Sequence, residues 1–407
     1  MLAYAGAVHF FGISNIGTFS LLRGLTVVIR SAVLNGILQG LTLYATALML
    51  PERDSPAPAK GKILLHFAGV FVYSLNGIII ANLIIMKIGI IGAGWIADKM
   101  AETLTGLDSS MKYAIAARDA DRAAKFASQW GFEKSYGSYR ELVEDPDVDL
   151  VYIATPHSHH FEHASLAINA GKPVLCEKAF TANAREADAL LNLAHKKGIF
   201  ITEAIWTRYM PLSLKVKELL DSGAIGKPRL LNASLCYMME FKERILRPDL
   251  CGGALLDLGV YSINFCRMYF GADVINETSN CIKGPTGMDM HNSISWSYTD
   301  GRIANIQSSA MCLCGRIGQI CGTEGYLLVD NINCPQSITV YNDYKPVAMF
   351  DKPAGQITGY EYQVLACKEA LRNGWLESPY MPHQETLDIM KIMDHLRQQW
   401  GVVYPMD

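Results

Sequence analysis

The stretch Met86-Lys87-Ile88-Gly89-Ile90-Ile91-Gly92-Ala93-Gly94-Trp95-Ile96-Ala97 decides the fold. Lys87–Ile91 is a short apolar run ending in glycine, and Trp95–Leu104 then places apolar residues at helical spacing. A buried strand, a G-x-G-x-x-A turn and a helix start, in that order, make a dinucleotide-binding unit. Gly92 permits the tight turn, Gly94 lets the backbone approach a pyrophosphate, and Ala97 keeps helix and strand close. Trp95 and Ile96 open the helix whose N-terminus faces the phosphates. The motif alone is common; its flanking strand and helix make it specific.

Working outward, Tyr113–Ala117, Leu150–Ala154, Pro173–Cys176 and Ile199–Glu203 read as further strands. Between them Asp121–Trp130, His160–Ala170 and Ala184–Lys197 read as helices. This alternation predicts an α/β Rossmann domain, with a parallel sheet covered on both faces, over 86–203. After Ala204 the pattern changes. Leu212–Asp221 and Gly253–Phe270 look helical, and Leu230–Met238, Ser293–Tyr298, Ile303–Ser309, Ile317–Cys321 and Tyr326–Val329 read as strands. Thr299-Asp300-Gly301 is a hairpin turn, and Glu361–Asn373 and Glu385–Trp400 close the chain as helices. The expectation for 204–407 is an α+β domain with a large, mainly antiparallel open sheet that binds substrate. Its free face predicts a homodimer.

Residues 1–85 differ in kind: strongly apolar, with few charges outside Pro51–Lys62. Leu2–Leu22, Ser31–Leu50 and Ile63–Ile85 each have the composition of a membrane span. The last runs into the first Rossmann strand without a linker. The extension is therefore expected to be a start-site artefact ahead of Met86, with a membrane tether as the alternative.

The 407-residue chain carries a formal net charge of −3, so there is no electrostatic case for nucleic acid as a partner. All 10 cysteines lie from Cys176 onward without a disulfide framework or paired metal spacing, which suggests reduced thiols and a cytoplasmic protein. No metal is expected.

The remaining motifs sit where a Rossmann crevice opens. The second strand ends Ala117-Arg118-Asp119. An acid there would hold a ribose 2′-OH and an arginine suits a 2′-phosphate, so Arg118 favours NADP while Asp119 leaves NAD open. Thr155-Pro156-His157-Ser158-His159-His160 follows the third strand, with His163 soon after. Adjacent histidines on a loop point apart, so Thr155, Pro156 and His157 read as a loop beside the nicotinamide rather than a metal cluster. Glu177 and Lys178 follow the fourth strand, and a lysine there can polarise a substrate oxygen. Asp257 and Tyr261 are four apart and share a helical face. Carboxylate, phenol and opposing lysine make a proton-transfer set for hydride chemistry.

Gly92–Ala97, Ala117-Arg118-Asp119, Thr155-Pro156, Cys176-Glu177-Lys178, Glu203–Arg208 and Asp257–Tyr261 together resemble the Gfo/Idh/MocA oxidoreductases. The tail, with Leu376–Pro379, Met381-Pro382 and Tyr404-Pro405, agrees. The resemblance covers 86–407 and none of 1–85, and is strongest to the dimeric dihydrodiol dehydrogenase and NADP-dependent D-xylose dehydrogenase branch; glucose–fructose oxidoreductase is more distant. It implies that Lys178 is the lysine of the family's Glu-Lys-Pro motif, here with Ala179 in place of proline. It further implies that Tyr261 holds the acid/base position where many members have histidine, and that Trp206 and Arg208 line the substrate side. The function implied is an NAD(P)-dependent dehydrogenase moving hydride between the nicotinamide and a hydroxyl carbon of a sugar or cyclic diol. Competing readings are NAD-assisted glycoside hydrolysis, a non-catalytic dinucleotide sensor, and membrane scaffolding by residues 1–85. Tyr261 in place of histidine weighs against the hydrolase, and the intact Lys178, Asp257 and Tyr261 set weighs against the sensor.

Overall fold

Strand β1 (Ile88–Ile91) is buried along its whole length, which is why it reads as an unbroken apolar run. It lies inside a six-stranded sheet of order β3-β2-β1-β4-β5-β6. The neighbours are β2 (Lys112–Ala116), β3 (Lys134–Tyr136), β4 (Leu150–Ile153), β5 (Val174–Glu177) and β6 (Ile201–Ala204), and every pairing is parallel. Helices α1 (Trp95–Asp108), α2 (Ala120–Trp130), α3 (Tyr139–Glu144), α4 (His160–Asn169) and α5 (Ala184–Lys197) connect the strands. Strand order reverses between β1 and β4, so a crevice opens at their carboxyl ends, where such sheets bind ligands. The short β3 and α3 were not anticipated from the pattern. α3 is set by a capping box between Ser138 and Glu141.

This computed structural model describes residues 85–407. The apolar stretches expected in residues 1–85 lie outside the described residues, apart from Ile85 itself. Among the described residues no helix is long and apolar enough to cross a membrane.

The second sheet has eight strands in the order β14-β13-β12-β11-β7-β10-β9-β8. These are β7 (Pro228–Cys236), β8 (Val274–Lys283), β9 (Asp289–Tyr298), β10 (Ile303–Ser309), β11 (Gly318–Gly322), β12 (Gly325–Asp330), β13 (Ser337–Asn342) and β14 (Lys345–Asp351). β7 and β10 pair in parallel and all other neighbours are antiparallel. Trp296, Tyr298, Ile306, Leu231, Leu235 and Ile320 bury one face, against which α8 (Val260–Phe270) packs. The other face is polar at its centre. Ser295 donates to Asn305, Asn305 to Asn232 and Asn232 to Gln319, a ladder crossing β9, β10, β7 and β11. Helices α6 (Pro211–Asp221) and α7 (Glu243–Leu246) lie beside β7 in the chain.

The last two helices return to the Rossmann sheet. Val364, Cys367 and Ala370 of α9 (Glu361–Asn373) share a core with Ile88, Ile90 and Met100. Helix α10 (His383–Trp400) packs on α5, and Asp394 accepts the Ala184 N–H at 2.7 Å.

Candidate active site

At the end of β1, Gly92 takes φ +102°, and a Cβ there would lie 2.8 Å from the Ala154 carbonyl oxygen. Only glycine fits that turn. Gly94 is the N-cap of α1 without a side-chain cap, and a Cβ on it would meet nothing within 4 Å. The space before the α1 N-terminus is thus open and its first N–H groups lack side-chain acceptors, which fits a dinucleotide pyrophosphate. Ala97 is fully buried against the strand and Ile96 half-buried, whereas Trp95 is 70 % exposed and projects away.

Arg122 donates twice to the Ala93 carbonyl, from Nη2 at 2.6 Å and Nε at 3.2 Å, and so braces the glycine turn. This residue was not legible in the sequence, since an arginine in a first helical turn carries no motif. Asp119 accepts the Arg122 N–H at 3.0 Å and caps α2. Arg118 is exposed beside it and makes no ion pair among the described residues.

The histidines after β4 act as struts. His160 lies between the carbonyl oxygens of Thr155 (2.8 Å) and Ala179 (2.9 Å), tying the β4 loop to the turn that holds Lys178. Thr155 Oγ1 is 3.0 Å from His163 Nδ1, and His157 Nδ1 is 3.3 Å from the Cys251 carbonyl, just before the helix that carries Asp257. Burial lowers the His157 pKa to about 3 and that of His160 to about 4, so both rings are neutral at physiological pH. Pro156 starts the short helical turn His157–His159.

Lys178 stands just past the carboxyl end of β5, and its peptide bond to Ala179 is cis. Its Nζ donates to the Asp257 carbonyl oxygen at 2.8 Å and to Asp257 Oδ1 at 3.2 Å. Arg244 of α7 grips the same carboxylate with two bonds, 3.1 and 2.8 Å. Burial opposes ionisation of Asp257, but the Lys178 and Arg244 charges hold it well below the usual carboxylate range. A π-type turn, Leu255–Gly259, carries Asp257 and leads into α8 with Tyr261 near its start. Lys178 Nζ lies 5.0 Å above the Tyr261 ring centroid.

The phenolic oxygen of Tyr261 accepts from Trp206 Nε1 at 2.8 Å, so its direct donor is the indole. Burial pushes the Tyr261 pKa well up, Tyr360 and Glu177 push the same way, and the Trp206 hydrogen bond pulls it down. Below the site, Tyr152 donates to the Glu177 carboxyl, and burial raises Glu177 to about 7 and neighbouring Glu203 to about 8. The expected site residues Lys178, Asp257, Tyr261 and Trp206 are therefore brought together. Arg208 is turned elsewhere: it donates to Asn264 (2.5 Å) and Glu385 (2.6 Å), an interior pair that Arg267 also joins. Its charge is committed to fastening α10. Arg244, Tyr152 and Tyr360 were not found from the sequence. Arg244 lies in the segment 240–249, whose conformation has no periodic signal.

An open helix N-terminus at a topological switch point, with a lysine, a carboxylate and a phenol across the crevice, defines a nicotinamide-linked oxidoreductase. Residues 86–204 match the model described as "Oxidoreductase family, NAD-binding Rossmann fold", and 213–328 match the GFO/IDH/MocA C-terminal domain. The mouse trans-1,2-dihydrobenzene-1,2-diol dehydrogenase is 33% identical over 329 residues, covering 79% of this chain and 99% of that protein. The NADP(+) D-xylose 1-dehydrogenase of Hypocrea jecorina is 34% identical over 371 residues, covering 79% and 93%. A 3-ketoreductase of Actinomadura kijaniata, solved with NADP and TDP-benzene, shares the fold at TM-score 0.70 and 24% identity, covering 77% of this chain and 98% of that one. This chain belongs to the Gfo/Idh/MocA oxidoreductase family.

Proposed function

We propose that the chain oxidises a hydroxyl of a sugar or cyclic trans-diol with NADP, with Tyr261 as the proton acceptor and Lys178 as the group that polarises the substrate oxygen. The names of the mouse and Hypocrea relatives support the two substrate classes. The observation that carries the reading is the seat of Lys178. Asp257 takes two of its three N–H donors, which leaves one to address an oxygen in the crevice. The bound nicotinamide supplies the hydride acceptor. The phenolate of Tyr261 then takes the O–H proton and becomes the phenol, while Lys178 holds the oxygen on which charge develops. Asp119 is used as a helix cap, so Arg118 is the residue left to meet a 2′-phosphate, which favours NADP.

In this reading 86–203 binds dinucleotide and 204–407 supplies substrate contacts. Two chains pair through the polar face of the second sheet, which light scattering tests directly: a monomer at micromolar concentration would remove that part. The chemistry is tested by presenting aldoses and cyclic diols with NADP and following NADPH absorbance. Tyr261→Phe should lower kcat by about 10²–10⁴-fold with NADP affinity unchanged. Near-parental kcat in that variant would remove Tyr261 as the proton acceptor.

A further inference from the structure

Between β14 and α9 the segment 352–360 crosses from the second sheet to the Rossmann unit. The Glu361 carboxylate gathers its backbone, accepting the N–H groups of Ile357 (2.8 Å), Thr358 (3.1 Å) and Gly359 (2.7 Å). Thr358 Oγ1 is 2.6 Å from Thr103 Oγ1 on α1. Ile357 fills the space beside Gly106, where a Cβ would come within 2.6 Å of it. The carboxyl end of the strap is thus held by Glu361 and by α1, and Tyr360 there is buried. The Tyr360 ring stacks on the Trp206 indole, with centroids 4.2 Å apart and planes 7° from parallel. Gly359 makes room for the stack: a Cβ on it would sit 2.7 Å from the indole.

We propose that Tyr360 is a positioning residue for the reaction: stacked on the indole, it aims the Trp206 N–H at the Tyr261 oxygen. This rests on the reading of Tyr261 as proton acceptor. A stacked ring fixes the indole plane, and a fixed plane fixes the one direction in which Nε1–H can donate. That bond matters because the other groups facing Tyr261 do not donate to its oxygen. Lys178 from the β5 turn lies over the ring face and is paired with Asp257 on the preceding turn. Glu177 of β5, Asp257 and Tyr360 oppose the negative form of the phenol, and Tyr152 of β4 is itself hydrogen-bonded to Glu177. The indole N–H is then the direct stabiliser of the phenolate that must be present before Tyr261 takes the proton, and a hydrogen bond to a charged group is worth about 10- to 100-fold in rate.

The test uses the full chain with NADP, labelled with ¹⁵N at its 6 tryptophans. Tyr261→Phe identifies the Trp206 indole resonance, which moves upfield when its acceptor is lost. Tyr360→Leu should move the same resonance in the same direction, Tyr360→Phe should restore it, and unmoved signals from the other indoles report an intact fold. With D-xylose and trans-1,2-cyclohexanediol as probes, Tyr360→Leu should lower kcat about 10-fold or more and shift the pH limb of kcat/KM upward by about one unit, with KM for NADP unchanged. An unmoved Trp206 resonance in Tyr360→Leu overturns the proposal, and so does a moved resonance with unaltered kcat. Near-parental kcat in Tyr261→Phe instead overturns the tyrosine mechanism, so the two failures are distinct. Should Tyr360→Leu disturb the other indoles, Trp206→Phe decides: it removes the donor and keeps a ring, and an unshifted pH limb there overturns the proposal.

Discussion

Replacing Asp257 by asparagine keeps the side chain's shape and removes one negative charge from between Lys178 and Arg244. Asp257 and Lys178 have side-chain exposures of 7% and 13%, so water screens this pair little. Arg244 is 43% exposed and can turn outward, which limits its share. Breaking one partner of a buried pair costs about 3–5 kcal/mol. The Asp257 carbonyl still receives Lys178 at 2.8 Å in the variant, which places the expected loss at the lower end, about 3 kcal/mol. With an unfolding entropy of about 2.1 cal/mol/K per residue, that corresponds to roughly 4 °C in Tm for a chain of this size. Lys178 then loses the charge that holds it, so kcat should fall about 10²-fold. The folded pKa of Asp257 lies below its unfolded value near 3.9, so the pair's stabilisation is complete above roughly pH 4 and is lost as pH falls further. Parent and variant melting curves, followed by circular dichroism, should therefore converge on the acid side. Arg244→Ala is the comparison: it should cost about 1 kcal/mol or less while leaving Lys178 paired. An Asp257→Asn protein with parental Tm and kcat at pH 7 would refute the view that this carboxylate seats the lysine.

Arg118→Ala should weaken NADP binding by about 1.5–3 kcal/mol and leave NAD nearly unaffected, read by titration calorimetry with both cofactors. Equal losses would show that Arg118 does not read the 2′ position. Burial raises the Glu203 pKa to about 8 in the folded chain, above an unfolded value near 4.3. Its stability penalty therefore grows as pH rises from roughly 4 to 8, and Glu203→Gln should flatten the pH dependence of denaturant unfolding over that window. Identical slopes for parent and variant would count against a buried, titrating Glu203. A chain starting at Met86 should fold and bind NADP, because Ile85–Asp407 forms its own compact unit. Loss of cofactor binding on removal of residues 1–85 would make the extension part of the fold.

How far the sequence was legible follows from where each signal is stored. The Rossmann half was legible because its information is local. A strand buried on both faces must be an apolar run, the turn after β1 must be glycine, and a lysine after β5 falls at the crevice by topology alone. The β9–β10 hairpin was equally local, and β10 (Ile303–Ser309) and α9 (Glu361–Asn373) formed where their patterns predict. What escaped is information held between distant segments. Arg244 acquires meaning only when a short helix brings it against Asp257, and nothing in 240–249 encodes that approach. Arg208 carries the charge expected of a substrate ligand, yet Glu385, far along the chain, claims it. Tyr360 is a plain aromatic in a loop until the strap lays it on Trp206. The return of α9 to the Rossmann core has the same origin: Val364, Cys367 and Ala370 form an ordinary apolar stripe, and a stripe does not state which sheet it will cover. The linear division at residue 204 therefore marks where the chain leaves the first sheet, while the candidate site is held partly by segments that come back to it.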